Sequence, residues 1–422
     1  MVVVAHVLPA DVRQHLRALA NSGRLRRAFT GYVYQPDRNL ERWGKSCDAV
    51  LGTRFTDFLS QRPELVGVNT SDVRRALVPE AVGQLCRLNG RVGMPHSTWN
   101  DWAKQRISAT AAKSIRRGDR LVLAREFEAK ELFQEAAKRQ ISRLYQLPTP
   151  HFATVDQVLR RELEVFPDDA LLAEHNRSVA SPRIDRKRAE LQLASRILVP
   201  SDFVKTSLLA AGIEAGRIDV LPFGTEADWI SDRLPAKNTR LVLHVGQLSI
   251  RKGTHRLLRA WKKIGAYRSC ELRLIGRMRL SQQFLSEFAG MYNYLGRLPR
   301  PSLREHFAAA AFFVFPALAE GFAVVILEAI SCGTPVVASR SSGAEGFIRE
   351  QQEGLLHDTN DDEQLCEALE WMLTNSHRHR AMSESCLERA KNWTWHHYRA
   401  AFLRFVSAMV EHAGNHYGYA TI

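Results

Sequence analysis

Along the C-terminal half, short apolar runs alternate with amphipathic stretches. "TRLVLHVG" is an apolar run ending in Gly246, the pattern of a buried strand. "THRLLRAWKKI" follows, with Leu257, Leu258, Trp261 and Ile264 at helical spacing. "CELRLIG" predicts the next strand and "LSQQFLSEFAG" the next helix. "PSLREHFAAAA" predicts a helix with Pro301 in its first turn, "FFVFPA" a strand, "GFAVVILEAIS" a helix stopped near Gly333, and "TPVVAS" a strand. "GAEGFIREQ", "EGLLHD" and "DEQLCEALEWMLTN" continue the alternation. Strands alternating with helices predict a parallel sheet covered on both faces. Such a sheet binds ligands at the carboxyl ends of its strands.

The N-terminal half alternates less cleanly. "MVVVAH" predicts a strand and "ADVRQHLRALANSG" a helix closed by Gly23. From about Arg38 to Arg117 the pattern is mostly helical. "DRLVLA" and "ISRLYQL" predict strands flanking the helix "EFEAKELFQEAAKRQ". "SRILVPSDFVKTSLLAAG" predicts a strand, a cap at Ser201–Asp202, and a helix ending at Gly212. "RIDVLPFG" predicts a strand, and "TEADWISDRLPAKNT" has turn and linker composition. Two alternating halves with a joint near residues 225–239 would set a cleft between two sheets. The 422 residues exceed what one hydrophobic core usually serves, which also favours two domains.

Composition narrows the function classes. The chain is 45% hydrophobic and 25% charged, as ordinary globular proteins are. Its six cysteines form no CxxC and match neither a disulfide framework nor a zinc site, which favours a reducing compartment. No window is long and apolar enough for a membrane span, and the first residues lack the flanks of a signal peptide. The formal net charge is +14. The basic residues are spread in short runs, "RLRR", "RRGDR", "RIDRKR" and "RKGTHRLLR", without a nucleic-acid-binding signature, so no nucleic acid is expected. "RIDRKR" reads as a solvated helix face, with contact to an anionic surface as the alternative.

Two carboxylates stand out. Glu320 follows a predicted strand, and Gly321 is expected to open the next helix. Glu320 would then face the ligand crevice, beside the free amides of Gly321 and Phe322, which attract phosphate. Glu328 would lie about two turns further along, ~9 Å at 1.5 Å per residue. A carboxylate at each end of that span suits a polyhydroxy ligand with a diphosphate in the middle. Two ordinary helix carboxylates are the plain alternative. In "HVGQLSIRKGTHRLL", Arg251 and Lys252 precede Gly253 in a polar loop. Paired cations there can hold a diphosphate, or form a basic surface turn.

"EGFAVVILE", then "AISCGTPVVAS" and "GAEGFI", resembles the signature of glycosyltransferase family 4, a retaining group of the GT-B fold. As in the family's glutamate pair, seven residues lie between Glu320 and Glu328. "HVGQLSIRKG" resembles its diphosphate loop, and the resemblance runs from about Asp119 to the C-terminus. It implies an α/β GT-B fold, two Rossmann-like domains facing each other across a cleft. The implied boundaries are 1–225 (acceptor side), 226–395 (nucleotide-sugar side), and 396–422 as a C-terminal helix returning to the first domain. That tail is apolar at Tyr398, Phe402, Phe405 and Met409.

The resemblance also implies roles. Glu320 would contact the donor sugar, Gly321 and Phe322 with Ala323 would lie along sugar and phosphate, and Glu328 would hold the ribose. Lys252, with Arg251, would bind the diphosphate, and Gly246 would let the loop approach. His151, in "LYQLPTPHFAT", resembles the histidine that reaches the donor sugar. The catalytic set is therefore Glu320, His151 and Lys252. Gln247 departs from the usual Arg, and "AHVLPADVRQH" lacks the glycine-rich loop often found after the first strand. No D-x-D triplet occurs, so no metal and no other cofactor is expected. The implied partners are a nucleotide-sugar donor and a glycan or lipid-linked acceptor; the cysteines point to the cytoplasm, and the basic charge alone points to peripheral contact with an anionic inner membrane face. The alternatives are a degenerate relative that binds without turnover, an epimerase or phosphorylase of related fold, and a basic surface binder.

Overall fold

A computed structural model describes residues 1–5, 10–30, 67–75, 96–167, 172, 175–176, 179–234 and 236–415. Much of the stretch expected to be mostly helical, and Pro9 after the first strand, lie outside these residues. By its contacts the chain divides into two compact units. One comprises Met1–Leu147, Asp185–Leu198 and Arg399–Ile422; the other comprises Pro148–Ile184 and Val199–Tyr398.

The first sheet has seven strands: β1 (Val2–Ala5), β2 (Leu25–Thr30), β3 (Val73–Arg75), β4 (Leu121–Arg125), β5 (Ser142–Gln146), β6 (Arg196–Val199) and β7 (Ile218–Val220). Their order is β3-β2-β1-β4-β5-β6-β7, and β1 pairs parallel with both β2 and β4. The helices α1 (Ala10–Asn21), α2 (His96–Lys113) and α3 (Lys130–Lys138) belong to this unit. Gly23, at φ +67°, closes the turn after α1, a conformation glycine adopts without steric cost.

The second sheet holds β8 (Asn238–Val245), β9 (Glu271–Ile275), β10 (Asn293–Tyr294), β11 (Ala310–Phe315), β12 (Val336–Ser339) and β13 (Gly354–His357), in the order β10-β9-β8-β11-β12-β13. Its paired strands are parallel, and those at the centre are apolar on both faces. All six residues of β11 are buried, as helices covering both sides of the sheet require. The core on one side gathers Val242, Leu257, Trp261, Leu274, Phe312 and Leu369. Leu159 and Phe166 join it from α4 (Phe152–Val165) and its end. Strand order reverses between β8 and β11, the kind of switch point at which open α/β sheets place their ligands.

Several expectations need correction. The helix after β11 is α10 (Val324–Ser331), so Gly321 does not open it. The Glu320 and Ala323 amides instead donate to the carbonyls of Ser341 (2.8 Å) and Ser342 (3.2 Å), which holds 320–323 as a connector. "GAEGFIREQ" forms turns, with Gly343 at φ +75°. "LSQQFLSEFAG" shortens to α8 (Gln282–Ser286), capped by Ser281.

"RIDRKR" lies on α5 (Ser181–Leu193), but it is not simply a solvated face. Arg186 is buried there, with Nη2 2.6 Å from Glu131 and 2.9 Å from the Phe127 carbonyl. Its burial is tolerated because those acceptors answer its charge. On α13 (Trp395–Asn415) the buried positions are Tyr398, Phe402 and Val406, while Phe405 and Met409 are only half-buried. From Arg399 onward α13 belongs to the first unit, where Arg399 Nη1 donates to Gln14 (2.6 Å) and Phe402 stacks on His15. No helix among the described residues is long and apolar enough to cross a membrane.

Candidate functional site

Backbone packing builds the site. The loop after β8 turns tightly, with the Lys252 amide donating to Ser249 (3.1 Å) and the Gly253 amide to Ile250 (2.8 Å). Gly253 sits at φ +70°, and a Cβ there would fall 1.8 Å from the Pro316 carbonyl oxygen. Only glycine lets this loop lie directly on the one leaving β11. The Leu318 amide then donates to the Arg251 carbonyl (2.9 Å). Two residues later comes Glu320, so the loop-to-loop contact delivers its carboxylate to the cations.

Glu320 is ion-paired with Lys252, and Arg251 Nη1 stands 3.9 Å from the same carboxylate oxygen. The three side chains are partly buried, where an ion pair is screened less than at a free surface. The Lys252 ammonium also lies 5.4 Å from the centre of the Phe315 ring. Beneath the loop, His244 is fully buried. Its Nδ1 meets the Val314 carbonyl (2.8 Å) and its Nε2 meets Thr254 Oγ1 (2.9 Å). Burial pushes its pKa down to about 4, with Lys252 adding to the effect and the bond to Val314 opposing it. The imidazole is therefore neutral near pH 7, tying β8 to β11 and to the start of α7 (Thr254–Lys263).

Gly321 is the meeting point of three segments. A Cβ on it would sit 1.8 Å from the Pro148 carbonyl oxygen and 3.0 Å from Thr149 Cα. Its own carbonyl accepts from Ser201 Oγ at 2.6 Å, and Gly343 packs so close that a Cβ there would lie 2.6 Å from the same oxygen. The loop after β5 that carries His151 is thus seated on the loop that carries Glu320. His151 itself caps α4, its Nδ1 accepting from the Ala153 amide (3.3 Å) while its own amide donates to Ser207 Oγ (2.9 Å). Phe322 turns its ring inward against Phe223 and Phe347, leaving its backbone as the part able to meet a ligand.

The structure therefore brings Lys252, Arg251, Glu320, Gly321, Phe322 and Ala323 together, with the His151 loop alongside. Gly246 opens the same loop after β8 and packs against Gly276, just past β9. Its carbonyl oxygen would be 1.6 Å from a Cβ on Gly276, and Gln247 beside it is exposed. Glu328 joins a different cluster. It is 8% exposed on α10 and bonded to Arg300 Nη2 at 2.6 Å, and the Arg300 guanidinium sits over the Trp229 ring. Burial raises its pKa above the usual carboxylate range, and Arg300 pulls it part of the way back.

Sequence reasoning missed the buried lock that holds α4. Glu162 on α4 pairs with His255 and with Arg256 Nη2 (2.6 Å), both on α7. Arg256 Nη1 goes on to Asp362 (3.0 Å), at the start of α11 (Asp362–Thr374). The two basic partners and their hydrogen bonds outweigh burial and hold the Glu162 pKa at about 2. "THRLLR" shows cations at a helix start, but nothing in it says they point inward.

Known proteins resemble this chain in sequence and in fold. Residues 226–393 match the family model described as "Glycosyl transferases group 1". Over 218 residues the chain is 27% identical to the sulfoquinovosyl transferase SQD2 of Arabidopsis thaliana, covering 48% of this chain and 42% of that protein. Over 230 residues it is 29% identical to the O-antigen chain mannosyltransferase B of Escherichia coli, covering 49% and 58%. The matched region thus spans about half the length of these curated relatives. Among solved structures, the sucrose-phosphate synthase of Thermosynechococcus elongatus aligns over 97% of this chain and 98% of its own, with a TM-score of 0.66 at 18% identity. Anabaena HepE, solved in complex with UDP-glucose, aligns over 96% and 99%, with a TM-score of 0.58 at 15% identity. The chain has the GT-B fold, and its residues 226–393 are similar to the group 1 glycosyl transferases.

Proposed function

We propose that the protein is a retaining glycosyltransferase that moves a sugar from a nucleotide diphosphate sugar to a hydroxyl acceptor. The observation that carries this is the convergence at Gly321. One carboxylate, Glu320, and two cations, Arg251 and Lys252, meet where the loops after β8 and β11 touch, at the switch point of the second sheet. The group 1 match over 226–393 and the nucleotide-sugar complex of a structural neighbour support the donor class.

On donor binding, Lys252 and Arg251 turn from Glu320 to the diphosphate and stabilise the charge that develops as it leaves. Glu320, released, accepts hydrogen bonds from sugar hydroxyls, and Glu328 accepts them from the ribose. The acceptor oxygen attacks the anomeric carbon from the face that the diphosphate departs. The carbon–oxygen bond to phosphate breaks with its electron pair on the diphosphate, and the acceptor proton passes to a phosphate oxygen. The configuration is retained. These protein cations take the part a divalent metal plays in other designs, so we propose a metal-independent reaction. A glycan or lipid-linked acceptor is the class proposed.

The test is nucleotide release from a panel of UDP-, GDP- and ADP-sugars, with and without acceptors. Release from one donor, lowered about 10²–10³-fold by Lys252→Ala and also lost in Glu320→Ala, is expected, with chelator leaving the rate unchanged. Donor binding without release would favour a degenerate, binding-only protein. An inverted product configuration by NMR would refute retention.

A further inference from the structure

A cavity of about 660 Å³ opens in the first unit, at the amino ends of β4 and β5. Arg116, Arg117, Asp119, Arg120, Arg139 and Ile141 line it. Its volume is that of a small-ligand site, but its lining is mainly positive charge.

An inventory of those charges shows a surplus. Asp119 accepts from Arg26 Nε (2.6 Å), Arg26 Nη2 (2.8 Å) and the Arg116 amide (2.8 Å), so its charge is already answered. Arg139 donates to Glu135 (2.8 Å) and to the Ile115 carbonyl (3.3 Å), just beyond the end of α2. Arg26 likewise reaches the Ser114 carbonyl (2.9 Å). Capping of helix carbonyls therefore explains Arg26 and Arg139. It does not explain Arg116 and Arg117, which are exposed and form no ion pair among the described residues.

More positive charge lies nearby. Arg27 on β2 has a buried Nε with no hydrogen-bond partner among the described residues. Its pKa is held below the usual value, first by burial and then by the positive charges of Arg74, Arg26 and Arg116. Gathered like charges disfavour the folded chain unless something neutralises them.

We propose that this cavity is an anion site that takes a phosphoryl group, built from residues other than those of the donor loops. Guanidinium forks match phosphate oxygens bidentately, and two unanswered arginines match a dianion. β4 and β5 run five residues away from the cavity, roughly 17 Å at 3.3 Å per residue. The cavity's lining shares no residue with the donor loops, so this site does not depend on the transfer reaction proposed above. The phosphoryl group belongs either to a lipid headgroup or to a soluble phosphate compound.

The test has two arms. In the first, inorganic pyrophosphate is titrated calorimetrically into Lys252→Ala protein, where the donor diphosphate site is disabled. In the second, the wild-type chain is co-sedimented with phosphatidylcholine vesicles with and without phosphatidylglycerol. Both are repeated with Arg116→Ser/Arg117→Ser, a surface change whose folding is checked by thermal melting. Arg380→Ser, an exposed arginine of the second unit, is the charge control. Saturable binding weakened at least about tenfold by the double substitution and unchanged by Arg380→Ser is expected in one arm or both. A response to pyrophosphate alone identifies a soluble phosphate, and a response to vesicles alone a headgroup. No binding in either arm, an unaffected double variant, or an equal loss in Arg380→Ser overturns the proposal.

Discussion

Two groups of cations among the described residues differ in what answers them. At the carboxyl ends of β8 and β11, Lys252 and Arg251 face Glu320, and every segment involved is fixed by backbone hydrogen bonds. At the amino ends of β4 and β5, Arg116 and Arg117 are exposed without a carboxylate partner among the described residues. The first arrangement is preorganised, because a ligand exchanges one set of charge partners for another within a fixed frame. The second leaves charge on the surface that a ligand neutralises on arrival. Backbone crowding marks the same contrast. Gly321 touches Pro148, Thr149 and Gly343, whereas Gly118 has nothing within 4 Å of where a Cβ would stand.

Among changes that leave the charged side chains in place, the largest effect is expected from Gly321→Ala. Its methyl would overlap the Pro148 carbonyl, and neither backbone can yield without moving the Glu320 or His151 loop. Misplacement on that scale costs about 10²-fold in rate, measured as nucleotide release. A variant with unchanged release would show that this convergence is not the working site.

Next comes pH. His244 is neutral when folded, with a pKa of about 4 against 6.5 for the free side chain. Its contribution to stability is complete above pH 6.5, falls as pH drops through that value and is gone below about 4. The total is up to about 3 kcal/mol at about 1.4 kcal/mol per unit. Denaturant melts from pH 4 to 8 would show the slope, and His244→Asn would make it shallower, with buried His15, whose pKa burial also lowers, keeping its own share.

Ser201→Ala removes the bond to the Gly321 carbonyl (2.6 Å) and the cap to the Val204 amide (3.3 Å). A stability loss of about 1–2 kcal/mol is expected, with a weaker donor KM as the loop loosens. The smallest effect is Gly118→Ala, at φ +108° but in open space. It should cost about 1 kcal/mol or so through backbone strain alone and leave nucleotide release unchanged. A loss of release there would erase the distinction between the two sites.

Much of the second sheet could be read from the chain. β8, β11 and β12 appear where their apolar runs stand, and Pro301 does lie in the first turn of its helix, α9 (Arg300–Ala309). Lys252 and Glu320 could be proposed as neighbours because both follow strands, and strand ends in a parallel sheet share one edge. Arg300 as the partner of Glu328 was not legible, nor was the Glu162–His255–Arg256 lock. In each, a charged residue is buried among partners far away in sequence, and periodicity carries no record of such partners. The start of α10 was misjudged because carbonyls of Ser341 and Ser342 capture the preceding amides, an interaction from outside the segment.

The sequence by itself determined the alternation of strand and helix, the glycines that allow close loop contact, and the identity of the acid and the cations. These follow from side-chain periodicity and from what each residue's backbone permits, both of which are local. Only the tertiary structure decided which charges answer each other, which arginines remain unanswered among the described residues, and that Gly321 is where three loops meet. Those depend on distances between segments far apart in the chain, and such distances exist only once the sheets have packed.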